Sequence, residues 1–387
     1  MTQAIYYLDY AAATPVDERV FSAMQPYFSE RFFNPSSPYA PAIEVRREYE
    51  DAKSRLAATI GAKGDELIIT AGATESINLA FAFVQDGHVV TSEIEHHAVL
   101  KAAEQHEATF VSPNKKGMIT ADAVAAAITP ATQLVSIQLA NNEIGTIQPI
   151  RDIATVVEAE SMRRREVGDT TPIYLHCDGS QGFGQIDVNV ARLGVDMLTL
   201  NSGKIYGPKQ VALLWCKPGV KVQPQIVGGG QERGLRSGTE NVAGVIGFAK
   251  AAELAHNHRK SEGERLMKLR DAMQQTFEDA FGERLVVSGN VKKRLPGSLH
   301  ISLPGIDGER LIFSLESEGV LLATGSACAA NKGTRSHVLT AIGMTDAEAD
   351  GSLRITLGRQ SDEASVLTAA TIIIEHLQRE IHRTSRA

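Results

Sequence analysis

Two residues of this chain could together serve an aldehyde cofactor: a lysine in the segment NSGKIYGPK and an aspartate that follows an apolar run. Lys204 lies just before the turn at Gly207-Pro208, and Asp178 follows the run at 173–177. An amine can hold an aldehyde as a Schiff base, and a carboxylate can keep a pyridine nitrogen protonated so that the ring accepts electrons. The pair therefore predicts a pyridoxal phosphate enzyme. Lys209 competes for the role of Lys204, and Asp178 could instead cap the next helix.

A turn of small residues, GATES at 72–76, joins a predicted strand to a predicted helix. Backbone N–H groups and the helix dipole point at one spot in such a turn, which makes it a place to hold a phosphate. Many strand-to-helix turns carry Gly and Thr only to turn and cap the chain. The interpretation of this turn as a phosphate site is strengthened because Lys204 and Asp178 also fit a pyridoxal phosphate site.

Two further side chains are candidates for chemistry. Cys328 is flanked by small residues without apolar periodicity, so a loop over 324–334 would let its thiol approach a bound substrate and leave again. The alternative is an incidental exposed cysteine. His96 opens a helical segment after a predicted strand and could stack on a planar cofactor and move protons, or simply cap a helix or lie on the surface. Cys177 and Cys216 fall in strand patterns and are expected to be buried and inert.

Composition narrows the class of protein. The chain has 387 residues, 43% of them hydrophobic, which exceeds what one core usually supports and predicts two domains. The net charge of -7 gives no electrostatic reason to expect nucleic acid or an anionic membrane as a partner. No apolar run approaches membrane-spanning length and residues 1–9 do not resemble a signal peptide, so we expect a soluble, cytoplasmic protein. Three cysteines without paired spacing predict neither a disulfide framework nor a metal site.

Short apolar runs alternate with segments of helical periodicity over the first part of the chain. This pattern is typical of an α/β sheet covered by helices on both faces. Ligands in such sheets collect at the carboxyl ends of the strands. Two long helices are predicted at 242–258 and 262–281, and a smaller α+β domain follows. The charged run at 163–166 is predicted to be a solvated helix end or surface loop. Most of the short apolar runs are predicted to be buried strands; the runs are 67–70, 88–92, 109–112, 134–138, 173–177, 197–200 and 211–216.

Motifs spread over nearly the whole chain resemble the cysteine desulfurases of the NifS/IscS type, within the class V aminotransferase-like branch of fold-type I pyridoxal phosphate enzymes. Any one motif could be chance, but their number and order are specific. The resemblance implies a large, mostly parallel α/β domain over 15–260 and a smaller α+β domain formed by 1–14 with 261–387, which carries the Cys328 loop. The motifs are YLDYAAATP (7–15), NPSS (34–37), GATES (72–76), EHHAVL (95–100), NNEIG (141–145), HCDGSQ (176–181), KIYGPK (204–209), GGGQERGLRSGTENV (228–242), TGSAC (324–328) and SLRITLGR (352–359).

The resemblance implies a role for each matching residue. Lys204 binds the cofactor covalently, Asp178 pairs with the pyridine nitrogen, and His96 stacks on the ring and takes part in proton transfer. Cys328 attacks the sulfur of the cysteine–cofactor adduct. Arg354 anchors the substrate carboxylate, which suits the planar fork of a guanidinium. The remaining contacts implied for the cofactor are Ala73, Thr74, Asn142 (which also contacts substrate), Gln181, Asn201 and, from a neighbouring subunit, Thr239.

The implied activity is that of a pyridoxal 5'-phosphate-dependent cysteine desulfurase in a homodimer. L-Cysteine becomes L-alanine, and a persulfide on Cys328 passes sulfur to an iron–sulfur scaffold protein or a tRNA-thiolation carrier. No direct contact with nucleic acid or a membrane is implied. The alternatives are a selenocysteine lyase or another class V lyase or transaminase, and a cofactor-bearing scaffold with decayed activity.

The chain departs from the family's pattern beside the lysine. The family usually reads Ser-Gly-His-Lys, whereas this chain reads Asn201-Ser202-Gly203-Lys204. Tyr39 stands where NPSS is commonly followed, one residue later, by histidine. Loss of one hydrogen bond to a charged group, worth about 1.5 to 3 kcal/mol, would weaken cofactor binding roughly 10- to 100-fold. Asn201 is expected to substitute as a donor.

Overall fold

The computed structural model describes residues 4–325 and 335–384, and Cys328 therefore lies outside the described residues. Short strands alternate with helices through most of the chain. The described strands are β1 (Tyr6–Tyr7), β2 (Leu67–Thr70), β3 (His88–Ser92), β4 (Glu107–Val111), β5 (Thr132–Gln138), β6 (Tyr174–Asp178), β7 (Met197–Asn201), β8 (Ala212–Cys216), β9 (Val286–Val287), β10 (Ser298–Ser302), β11 (Val320–Leu321) and β12 (Ser352–Thr356).

The helices cover both faces of the main sheet and one side of the smaller one. The described α-helices are α1 (Glu18–Met24), α2 (Pro26–Ser29), α3 (Ala40–Ala58), α4 (Ala73–Phe81), α5 (His97–Ala103), α6 (Ala121–Ala127), α7 (Ile150–Glu166), α8 (Val190–Leu193), α9 (Val242–Phe281), α10 (Gly308–Glu316), α11 (His337–Ala341), α12 (Asp346–Asp350) and α13 (Glu363–Thr384).

The main sheet has seven strands in the order β2-β8-β7-β6-β5-β3-β4. β8 runs antiparallel to both of its neighbours, and the other pairs are parallel. Alternate residues of a strand face opposite sides, so Leu67 and Ile69 join one hydrophobic core while Ile68 joins the core on the other face. The predicted α/β fold with a large, mostly parallel sheet is confirmed, and each of the seven apolar runs supplies one of its strands.

A second, smaller sheet has the antiparallel order β12-β10-β9 and its own core. β1 pairs in parallel with β11, and Leu8 brings the N-terminal segment into that core. In contrast, Val338 and Leu339 of α11 pack into a core of the main sheet. The domain limits expected from the sequence stay a prediction.

One 40-residue helix, α9, replaces the two helices predicted at 242–258 and 262–281. The predicted break was wrong because the polar stretch near residue 260 does not end the helix. It marks the place where α9 leaves one core after Ala255 and enters the other at Leu266. Gly263 is tolerated within the helix at a modest cost in stability.

The charged run at 163–166 is only partly the solvated helix end that was predicted. It does close α7, but Arg164 is buried. Its guanidinium donates from Nη1 to the carbonyl of Thr132 at 2.8 Å and from Nη2 to that of Thr129 at 3.0 Å. A buried arginine needs such acceptors, and here they come from the first residue of β5 and from the chain just before it. No helix in the described part of the chain is long and apolar enough to cross a bilayer.

Candidate active site

A cavity of about 440 Å³ opens at the carboxyl ends of the parallel strands of the main sheet. β6 ends there in Asp178 and β7 in Asn201, while Arg354 enters from β12 of the smaller sheet. Residues far apart in sequence therefore meet in one place. The predicted site residues that line the cavity are Ala73, Thr74, His96, Asn142, Asp178, Gln181, Asn201, Lys204 and Arg354.

The amine of Lys204 is held by the N-terminal segment. Lys204 ends a short 3-10 turn after β7, and its Nζ donates to the carbonyls of Ala11 and Ala12, each at 2.7 Å. Lys209 also reaches the cavity, where its amine donates to the carbonyl of Thr14, but Lys209 is exposed while Lys204 is half-buried. Of the two lysines, Lys204 has the more enclosed amine.

Asp178 places a buried carboxylate at the end of β6. Its Oδ1 accepts from the backbone N–H of Ser180 at 3.0 Å, which orients the carboxylate. Burial lowers the pKa of His176, two residues before Asp178, to about 4, so its neutral imidazole supplies no positive charge beside the carboxylate. A buried carboxylate in this setting favours a positively charged partner in the cavity.

The turn before α4 leaves its first amides available to an anion. α4 begins at Ala73, and within the described chain no side chain caps its first N–H groups. Glu75 fixes the turn by accepting from the N–H of Ala71 at 2.8 Å and by pairing with Arg236 at 2.8 Å. Ala73 and Thr74 thus present a helix N-terminus to the cavity, as a phosphate site requires.

His96 forms the N-cap of α5 and reaches the cavity. Its Nδ1 accepts from the N–H of Ala98 at 3.1 Å, so the neutral ring carries its proton on Nε2. His96 is exposed to the open cavity, but partial desolvation by the surrounding wall lowers its pKa. The Asp178 carboxylate opposes this shift, and the positive charge of Lys204 adds to it. His96 is therefore a neutral imidazole near pH 7.

The guanidinium of Arg354 is buried where the two sheets meet. Nη2 donates to Oδ1 of Asp9 at 2.7 Å, and Nη1 donates to the carbonyl of Asn142 at 3.4 Å. Nε has no partner among the described residues. His300 lies opposite Arg354 in the register of β10 and β12, and burial together with the Arg354 charge lowers the pKa of His300 to about 3. The guanidinium is thus fixed by Asp9 and Asn142, while its Nε remains available to a ligand.

At two positions beside Lys204 that depart from the family pattern, Asn201 keeps a hydrogen-bond donor and Gly203 leaves room for a side chain. Oδ1 of Asn201 accepts from the N–H of Gly203 at 2.9 Å, which leaves the amide nitrogen of Asn201 as its donor. A Cβ at Gly203 would meet no atom closer than 3.4 Å. Gln181 donates from Nε2 to the carbonyl of Ala11 at 3.0 Å. Tyr39, 51% exposed, precedes α3 and does not line the cavity.

Two predicted residues are not placed at the cavity by the described chain. Thr239 is exposed after the glycine-rich segment and does not line the cavity, so its predicted contact requires a second subunit. Cys328 lies outside the described residues. Of the other cysteines, Cys177 is buried and free as expected, while Cys216 is only partly buried, and burial raises the pKa of both thiols. The described chain holds no cluster of three or more potential metal ligands.

The sequence motifs contain two polar residues whose place in the site was missed. Asp9 belongs to YLDYAAATP and Ser180 to HCDGSQ, yet neither was given a role. Their positions within these motifs were the sequence signal that could have identified them. The sequence does not show which partner each side chain contacts. Asp9 meets Arg354, and Ser180 supplies both an N–H to Asp178 and a hydroxyl in the cavity wall.

A family model described as aminotransferase class-V matches residues 6–368. The chain belongs to this family. It is 40% identical to "Cysteine desulfurase IscS 1" of Archaeoglobus fulgidus, over 93% of this chain and 94% of that protein. Among solved structures, it resembles a "NifS-like protein" with a TM-score of 0.88 at 31% identity, over 97% of this chain and 100% of the other. It also resembles "SspA in complex with cysteine", with a TM-score of 0.76 at 34% identity, over 91% and 98% of the two chains.

Class-V aminotransferases of this kind depend on pyridoxal 5'-phosphate, and so does this protein. Its residues fit the cofactor. The cavity offers an enclosed amine, a strand-end carboxylate and the uncapped amides of a helix N-terminus. Its wall also contains the hydroxyl of Ser180, which is buried without a partner among the described residues. Such a hydroxyl is costly to bury unless a ligand satisfies it.

Proposed function

We propose that this protein is a cysteine desulfurase that converts L-cysteine to L-alanine and transfers the sulfur to Cys328 as a persulfide. Support comes from the relatives, which match nearly the whole chain and carry the name cysteine desulfurase. Further support comes from the similar structure of SspA, which is described as a complex with cysteine. An aminotransferase-family fold alone would leave the reaction open.

One observation carries the proposal: a single cavity joins Lys204, Asp178 and Arg354. Lys204 would hold the cofactor covalently, and Asp178 would pair with its ring nitrogen. The first amides of α4, at Ala73 and Thr74, would receive the phosphate, with Asn201 as a further donor and Gln181 and Asn142 beside the ring. Arg354 would bind the α-carboxylate of the amino acid. This set suits an amino acid substrate bound through its carboxylate.

The bound cofactor supplies an electron sink for carbanions of the substrate. His96, neutral near pH 7, would take part in proton transfer, and Lys204 would move protons at the substrate α-carbon once its amine is released. The Cys328 thiolate would form a bond to the cysteine sulfur while the carbon–sulfur bond breaks. The β-carbon then takes a proton, so L-cysteine and a thiol become L-alanine and a persulfide.

The oligomeric state, the sulfur acceptor and the cellular location are parts of the same proposal. A homodimer would bring Thr239 of one subunit to the phosphate of the other. The persulfide would pass to a sulfur-acceptor protein, either an iron–sulfur scaffold or a tRNA-thiolation carrier. We place the reaction in the cytoplasm, where reducing conditions keep thiols free for persulfide chemistry.

Alanine release from L-cysteine by the purified, cofactor-loaded protein tests the reaction. The wild type is expected to release alanine faster with a reducing thiol, and Cys328→Ala to release none. Alanine release by Cys328→Ala at the wild-type rate would contradict the persulfide route. Alanine release from L-selenocysteine but not from L-cysteine would favour a selenocysteine lyase. Conversion of L-cysteine to 3-mercaptopyruvate with an amino acceptor would favour a class V transaminase, and its conversion to pyruvate, sulfide and ammonia another class V lyase. Bound cofactor without any turnover would favour a decayed scaffold.

A further inference from the structure

Glu143 is a buried carboxylate that no step above uses. It follows Asn142, which lines the cavity and accepts from Arg354 through its carbonyl. Its backbone is fixed, because Oδ1 of Asn141 accepts from the N–H groups of Glu143 at 2.9 Å and Ile144 at 3.0 Å. The carboxylate therefore projects from a rigid part of the cavity wall.

Two residues distant from Glu143 in sequence meet this carboxylate. The hydroxyl of Ser336 donates to Oε2 of Glu143. A Cβ built on Gly325 would lie 3.3 Å from the same Oε2 and 3.5 Å from Cβ of Ser336. Gly325 and Ser336 are both buried, and Cys328 lies between them in the sequence. The carboxylate of Glu143 thus bonds to Ser336 on one side of the Cys328 segment and lies close to Gly325 on the other.

Contacts of Ser336 and His337 connect the start of α11 to the cavity wall. Ser336 caps α11 by accepting from the N–H groups of Val338 at 3.1 Å and Leu339 at 3.3 Å. The next residue, His337, donates from Nε2 to the carbonyl of Glu95 at 2.9 Å. Glu95 directly precedes His96 of the cavity. The start of α11 is therefore fixed both by Glu143 and by the segment that carries His96.

We propose that Glu143 is a positioning residue for sulfur transfer: by holding Ser336 beside Gly325, it fixes the two described ends of the segment that carries Cys328. This inference rests on the proposed desulfurase function. Glu143 touches neither the cofactor nor the reacting sulfur in this role. Its loss should slow the step in which Cys328 takes the sulfur and leave binding of the amino acid intact.

Three variants separate the parts of this contact. Glu143→Ala removes the acceptor, whereas Glu143→Gln keeps an oxygen that can accept from Ser336. Burial raises the pKa of Glu143, so a neutral amide is a mild replacement. Ser336→Gly removes the donor but keeps a residue that tolerates an N-cap position. Thr345→Gly is the matched control, because Thr345 caps α12 in the same way without reaching Glu143.

Steady-state alanine release and hydrogen exchange at the α-carbon of L-alanine in D₂O are measured on each holoenzyme. The exchange needs the cofactor pocket but not Cys328. Because small misplacements of reacting groups are costly, kcat should fall about 10- to 100-fold in Glu143→Ala and about 10-fold in Ser336→Gly. In both variants, KM and the rate of hydrogen exchange should equal those of the wild type. Thr345→Gly should also keep the wild-type kcat, and Glu143→Gln should keep most of it.

An unchanged kcat in both Glu143→Ala and Ser336→Gly would overturn the inference. So would a loss of exchange or a rise in KM parallel to the loss of kcat, since Glu143 would then act on substrate binding through Asn142 and Arg354. If Glu143→Ala does not fold, Ser336→Gly decides alone. A wild-type protein that exchanges L-alanine but releases none from L-cysteine would instead refute the desulfurase function.

Discussion

The guanidinium of Arg354 donates to the carboxylate of Asp9 at 2.7 Å, and this ion pair joins β12 to the N-terminal segment. Asp9 is itself fixed, because its backbone forms a bridge with Thr356 and its carbonyl accepts from the hydroxyl of Tyr7 at 2.9 Å. A held carboxylate leaves an arginine less freedom to rotate. Asp9 therefore orients the side chain proposed to bind the substrate carboxylate.

Replacing Asp9 by Ala should weaken the use of L-cysteine. Loss of a hydrogen bond between charged groups, worth about 1.5 to 3 kcal/mol, predicts a kcat/KM lower by about 10- to 100-fold, mostly through KM. Asp9→Asn should lose less, since its amide oxygen can still accept. Asp17→Ala is the control, because Asp17 pairs with Arg359 at 3.1 Å in the same region. A KM for Asp9→Ala equal to the wild type would refute the role.

Lys204, rather than Lys209, is expected to hold the cofactor covalently. Borohydride reduction converts a Schiff base to a stable amine, so the wild-type chain should gain the mass of the reduced cofactor. Lys204→Ala should gain none, and Lys209→Ala should gain the same mass as the wild type. The physical reason is the enclosure of the Lys204 amine, whereas Lys209 is exposed. Labelling of Lys204→Ala at residue 209 would reverse the assignment.

The lowered pKa of His96 predicts the acid side of the pH profile. A histidine accepts a proton only when it is neutral, so kcat/KM should fall as pH drops through a pKa below the ordinary value near 6.5. His96→Gln should lower kcat by about 100-fold or more and remove this limb of the profile. His106→Gln is the control, because burial also lowers the pKa of His106 at the far end of the same segment. An acid limb that persists in His96→Gln would assign it to another group.

Local pattern predicted the sheet well, because its strands are buried and apolar while turn residues separate them. The predicted limits of β2 and β3 match the structure residue for residue. Contacts between distant residues could not be predicted in this way. Asp9 and Arg354 are 345 positions apart, and only the packing of β1 and β12 on one core brings them together.

The same distinction explains the errors. The break predicted in α9 falls where this single helix passes from one core to the other, and its polar residues there do not end it. The sequence predicts Arg164 to be solvated with its charged neighbours, although acceptors at and just before the start of β5 hold it inside. For the candidate site, the sequence motifs predicted which side chains take part. Their contact partners became evident only from the fold.

A contact across the dimer is expected for Thr239. Thr239→Ala should lower cofactor affinity by about 10- to 100-fold, the cost of one hydrogen bond to a charged phosphate. Subunits of Thr239→Ala and Lys204→Ala are then mixed. If Thr239 acts on the neighbouring subunit, each mixed dimer has one intact site and one doubly defective site. Mixing should restore up to half of the wild-type activity at limiting cofactor, and no recovery would place Thr239 and Lys204 in the same subunit's site.

The segment that precedes Thr239 is held by a buried ion pair. Glu232 accepts through Oε2 from Nζ of Lys53 at 2.9 Å and from the N–H of Ile69 at 3.1 Å, and through Oε1 from the hydroxyl of Tyr49. Lys53→Met leaves this carboxylate buried without its cation. Breaking such a pair should lower the free energy of unfolding by about 3 to 5 kcal/mol in urea titration of the holoenzyme.

Lys101→Met serves as the comparison for this loss, because the ion pair of Lys101 with Glu104 is exposed and should contribute less than about 1 kcal/mol. The double variant Lys53→Met with Glu232→Gln should recover part of the loss, since no unpaired charge remains buried. Equal destabilisation by Lys53→Met and Lys101→Met would contradict this account. Because Glu232 fixes the chain that leads to Thr239, Lys53→Met should also weaken cofactor binding, whereas Lys101→Met should leave it unchanged.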